Sequence, residues 1–73
     1  MAEREPLSEI QKNGELLVLL AGRRLRVRAA DISISSKWLV LSELEISDDA
    51  NDPLYNLRVR NTENNEEIFA MWM

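Results

Sequence analysis

From residue 15 onward, apolar and polar positions alternate with a period of two over most of the chain, the signature of strands whose successive side chains point to opposite faces. The clearest case follows Gly22: Leu25, Val27 and Ala29 share one face, and Arg24, Arg26 and Arg28 share the other. Before it, residues 16–20 form a continuous apolar run (LLVLL) between Gly14 and Gly22, short enough to read as a strand rather than a helix. Residues 37–47 give a third strand. Trp38, Val40, Leu44 and Ile46 occupy one face, while the other changes from Leu39 and Leu41 to Glu43 and Glu45. A fourth strand places Tyr55, Leu57 and Val59 opposite Asn56, Arg58 and Arg60, and a fifth runs through residues 66–73, ending in IFAMWM.

The connections carry turn chemistry. Asn13-Gly14 tolerates positive φ at both positions, and the segments SDDANDP (47–53) and NTENN (61–65) are dense in turn formers. Asp31 to Ser36 either extends the second strand or turns it, and Ser33, Ser35 and Ser36 favour a connection. Residues 1–14 read as an N-terminal arm. Pro6 is placed for a first helical position and Leu7 and Ile10 stand three apart, so one short helical turn is expected over 7–12. Residues 15–73 then make a single small β domain. Its expected fold is mainly β, a five-stranded antiparallel barrel or strongly bent sheet in the size class of SH3-like barrels.

Length sharpens this picture. A chain of 73 residues buries only about 60% of the surface its unfolded form exposes. It contains no Cys and no His, so disulfides are absent and the commonest metal ligands and general base are missing. No enzymatic activity, cofactor or metal is expected. Paired acids such as Asp48/Asp49 and Glu66/Glu67 read as solvated turn residues, and the SDDANDP loop lacks the Gly and terminal Glu of an EF-hand. With two glycines in all, no phosphate-binding glycine motif occurs. The 1–14 segment lacks the apolar run of a signal peptide, and the longest apolar stretch is far short of the roughly 20 residues of a membrane helix. The expectation is a soluble, cytoplasmic protein without membrane contact.

Two features point to function. The first is apolar surplus: the strands at 16–20, 37–41 and 66–73 carry apolar residues on both faces, which a small sheet cannot easily bury. Leu17, Leu19, Leu39, Leu41, Phe69, Met71 and Met73 are therefore the candidate protein interface, for a homo-oligomer such as a dimer or for a larger protein partner. The second is charge. Formal net charge is −4, which opposes generic polyanion binding. Yet residues 23–28 hold four Arg and no acid, whereas 43–52 hold Glu43, Glu45, Asp48, Asp49 and Asp52 and no base. Arg24, Arg26, Arg28, Arg58 and Arg60 are the candidate contacts to nucleic acid or an acidic ligand. Antiparallel pairing of the second strand with the third would set Glu43 and Glu45 against the Arg row and neutralise it. Mimicry of nucleic-acid charge by the acidic half is a further, lesser reading.

Arg24-Leu-Arg-Val-Arg28 also fits the R-x-x-x-R of PilZ domains, which bind cyclic dinucleotides, and Asp31-Ile-Ser33 resembles the start of their D-x-S-x-x-G motif. Only two residues separate the two motifs here, where that family places a strand's worth of chain, and Ser36 stands at the glycine position. R-x-x-x-R arises in any strand with alternating arginines, so no function is carried over. The leading expectation is a non-enzymatic interaction or assembly module.

Overall fold

A computed structural model describes residues 3–73. It is a closed barrel of six antiparallel strands: β1 (Glu3–Gln11), β2 (Leu16–Leu19), β3 (Arg24–Val27), β4 (Glu43–Ser47), β5 (Leu57–Asn61) and β6 (Glu66–Trp72). Around the wall the order is β1-β2-β3-β6-β5-β4, with β4 returning to β1. The mainly-β barrel expected from periodicity is therefore present, with one strand more than the five anticipated.

The sixth strand is the segment expected to carry a helical turn over 7–12. Instead β1 pairs with β2 on one side, Leu7 opposite Leu19, and with β4 on the other, Arg4 opposite Glu45. Leu7 is fully buried in the core, and burial of one leucine outweighs the weak helical preference of an isolated turn. A register shift between Leu7 and Glu9 lets the strand bend as it closes the barrel.

β1 ends in a tight turn, Lys12–Gly14, in which all three residues have positive φ. The Asn-Gly signal thus marks a real turn. A Cβ on Gly14 would lie 2.7 Å from the Ser36 backbone, so only glycine fits there. Ser35 Oγ, fully buried, donates to the Gly14 carbonyl at 2.7 Å and locks the turn to the short helix α1 (Ile32–Ser35).

Alternation places Leu25 and Val27 of β3, Leu44 and Ile46 of β4, Leu57 and Val59 of β5, and Ile68 and Ala70 of β6 inside the barrel. One end is closed by the connection from β3 to β4. A 3₁₀ turn, Ala29–Asp31, leads into α1, and buried Trp38 then enters the core. Its indole N–H donates to Glu66 at 2.9 Å. Asp31 is buried but satisfied, accepting the Phe69 backbone N–H at 2.8 Å.

Two strand expectations need correction. Only residues 43–47 of the expected 37–47 strand pair as a strand; Leu41 stands at φ +70, which breaks the extended backbone, and Val40 is exposed rather than beside Trp38 in the core. The pairing of the Arg strand with the Glu43/Glu45 strand also fails. β3 lies between β2 and β6, because the β2–β3 hairpin and the β4–β5–β6 meander each take their sequence neighbours.

Candidate interaction surfaces

The residues singled out by sequence divide sharply. Leu17 and Leu19 are 0% and 1% exposed, so they belong to the core and not to a partner surface. Their face is set by register: Leu17 lies opposite Leu25, and directly opposed residues share a face, whereas Leu16 lies opposite Arg26 on the outer face, where it is nonetheless largely covered. Leu39 and Leu41, at 75% and 73%, are open to solvent, as is Met73; Phe69 and Met71 are half-buried on the outer face of β6.

The arginines divide as well. Arg60 and Arg4 flank Glu45 in register across three strands, bonding it at 3.2 and 3.1 Å, and Arg4 also reaches Glu43 at 3.9 Å. Glu43 and Glu45 are thus engaged on the far side of the barrel from the Arg row. Arg58 pairs with Asp49 at 3.6 Å. Arg28 bonds Asp31 at 3.2 Å and lies over the Phe69 ring at 4.5 Å. Arg23 bridges Glu3 and Glu5, which hold its guanidinium pKa above the ordinary arginine value, and stacks on Trp72 at 4.2 Å. Among the described residues, Arg24 and Arg26 alone of the five candidates have no ion-pair partner.

β3 and β6 bring parts of both predicted sets onto one wall. Arg26 lies opposite Met71 in the β3–β6 ladder, and the Met73 N–H donates to the Arg24 carbonyl at 3.0 Å. Leu16 flanks Arg26 on the other side. Where this wall meets the Lys12–Gly14 turn there is a cleft of about 270 Å³ lined by Lys12, Glu15, Leu16, Arg26 and Met73. Lys12 and Glu15 did not stand out in the sequence, since only the Asn13-Gly14 turn signal lay beside them.

A second apolar surface lies about β1, two strands from β3 around the wall. The Leu41 N–H donates to the Leu7 carbonyl at 2.5 Å, and the Leu20 N–H donates to the Pro6 carbonyl at 3.0 Å. Leu20 and the exposed turn at 39–41 therefore sit on either side of β1, about 10 Å apart, or two inter-strand spacings. Stagger of the closed sheet causes this, since β1 joins the end of β2 to the start of β4. Among the described residues, no three His, Cys, Asp or Glu side chains are grouped to hold a metal ion, and no helix is long and apolar enough to cross a membrane. Comparison with known protein families, with curated proteins and with solved structures finds no match to this chain.

Proposed function

We propose that this protein is a non-enzymatic interaction module whose docking face is the β3–β6 wall, and that it engages an acidic segment of a protein partner. The observation that carries this is the juxtaposition of Arg24 and Arg26, which have no ion-pair partner among the described residues, with Met71 and Met73. Alternate residues of a strand stand about 6.6–7 Å apart, and an extended peptide repeats its own alternate side chains at the same spacing. Acidic residues two apart on such a peptide meet both guanidiniums, and its apolar residues meet the methionines, whose flexible thioethers adapt to varied shapes. The chain's net charge of −4 opposes any anionic partner, but it weighs less against a short acidic segment than against a nucleic acid, which carries a charge at every phosphate.

Fluorescence anisotropy with an amidated Glu-Leu-Glu-Leu-Glu peptide and a thymidine decamer tests the reading. Peptide binding that weakens with salt, and disappears in an Arg24→Ala/Arg26→Ala variant with unchanged circular dichroism, supports it. Tighter binding of the decamer would transfer the face to nucleic acid, and binding of neither at low salt would remove it.

The apolar turn supports a second reading, self-association. Leu41 combines a left-handed backbone, which costs a leucine about 1 kcal/mol, with an exposed side chain, and strain of this kind often marks a contact site. Sedimentation at micromolar concentration is expected to show a dimer that a Leu39→Ser/Leu41→Asn variant dissociates. A wild-type monomer excludes this reading and leaves the β3–β6 face untouched.

A further inference from the structure

The cleft at the end of the β3–β6 wall has a composition that selects one kind of ligand. Two cationic side chains, Lys12 and Arg26, line it together with one acidic side chain, Glu15, and two apolar ones, Leu16 and Met73. These opposite charges do not neutralise one another. Among the described residues, none of the three has an ion-pair partner within 4.0 Å. The main chain that carries Lys12, Glu15 and Leu16 is held in place.

Lys12 is held in a left-handed conformation at φ 52, and the turn that holds it is pinned from beneath by the Gly14–Ser36 contact and the buried Ser35 hydroxyl. Glu15 follows with its N–H donated to the Lys12 carbonyl at 3.2 Å and its own carbonyl accepting the Val27 N–H at 2.8 Å. Leu16 and Arg26 are then opposed in the β2–β3 ladder. Every lining residue from 12 to 16 is thus fixed by main-chain bonds, and the strain at Lys12 lies at the lip of the cleft.

We propose that this cleft binds the C-terminal residue of a peptide, taking its α-carboxylate between Lys12 and Arg26, its backbone N–H at Glu15 and an apolar side chain against Leu16 and Met73. An inorganic anion would satisfy the two cations but face Glu15 unpaired. A cation would meet two like charges. A terminal amino-acid residue carries an anion, an N–H donor and an apolar group on one carbon, and so matches all three chemistries at once. The volume, about 270 Å³, lies just below the range typical of drug-sized ligands and suits a group of one or two residues. Capture of a terminal carboxylate by convergent donors is a recurrent peptide-recognition mode. The inference rests on the β3–β6 wall being a docking face, because Arg26 and Met73 belong to both.

The test is a titration followed by amide chemical shifts, with N-acetyl-Ala-Leu as free carboxylate, the same dipeptide amidated, and inorganic phosphate. The free carboxylate is expected to shift the amides of residues 12–16 and 26, and the amidated form to bind about ten-fold more weakly, the scale of one lost charge-assisted hydrogen bond. Lys12→Asn removes the charge while keeping a residue that tolerates positive φ, and Arg26→Gln removes the other; each is expected to weaken the carboxylate about ten-fold. Equal binding of the two dipeptides, tighter binding of phosphate, or no shift at millimolar probe would overturn the proposal. If the amidated acidic pentapeptide still docks in that case, the cleft assignment falls while the docking face stands. If the free dipeptide binds and the pentapeptide does not, the cleft stands and the extended acidic partner falls.

Discussion

Two glycines share nearly the same backbone angle, φ +102 at Gly14 and φ +98 at Gly22, yet their surroundings make them unequal. Gly22 sits in the β2–β3 turn with nothing within 4 Å of where a Cβ would stand. Gly14 abuts the Ser36 backbone. Gly22→Ala is expected to cost about 1 kcal/mol, the penalty of a left-handed non-glycine residue alone. Gly14→Ala adds a backbone clash and is expected to cost about 3 kcal/mol or more, which urea denaturation of the two variants would compare directly. The sequence marks both as turn residues. It cannot rank them, because the difference lies in a contact between residues 22 positions apart. Leu41 is the converse case: nothing in its residue type announces its positive φ, which sits in a turn closed by the Ser42 N–H on the Leu39 carbonyl and tied to β1 by the Leu41 N–H on the Leu7 carbonyl.

At the scale of elements, period-two patterning located β3 and β5 to within about two residues, because each has one charged face and one apolar face, while β6 is marked by its apolar run after the NTENN turn. It failed where that contrast was missing. In β2 every residue is apolar, so the pattern is silent about which face is inside and leaves Leu17 and Leu19 as interface candidates; the hairpin register through Gly22 decides the matter. In β1, Pro6 and the Leu7–Ile10 spacing suggested a helix, whereas two flanking strands supply hydrogen-bond ladders that an isolated turn lacks. Leu7→Ala is the measurement that separates these pictures. A residue on a fraying helical arm would change stability by less than about 0.5 kcal/mol, but Leu7 in a closed barrel core is expected to cost about 3 kcal/mol in chemical denaturation.

At the scale of the whole molecule, closure decides which charges are free. Joining β1 to β4 brings Arg4 to Glu43 and Glu45, and the meander brings Arg60 to the other side of Glu45, so neither acid faces Arg24 or Arg26. Acid stability follows from a different part of the same shell. Asp52 accepts the backbone N–H groups of Tyr55 and Leu54, both at 2.8 Å, and these lower its pKa from the ordinary 3.8. A depressed carboxylate stabilises the fold above its unfolded value, and that contribution is lost as pH falls through the folded one. Thermal melts are therefore expected to flatten above about pH 4 as far as this residue contributes, and to fall below it. An Asp52→Asn variant is expected to show a shallower acid limb; an unchanged limb would remove Asp52 from the titration.

By itself the sequence determined the β character of the chain, the position of most strands, the turn at Asn13-Gly14, and the presence of more apolar and basic groups than one sheet face requires. These are local properties, written in alternation and turn chemistry. Tertiary structure alone decided that Glu3–Gln11 is a strand, that Leu17 and Leu19 are core, and that Arg24 and Arg26 stand beside Met71 and Met73 with no ion-pair partner among the described residues. The physical reason is closure. A barrel's register and stagger are satisfied only when all six strands are paired at once, and no short stretch of sequence carries that condition.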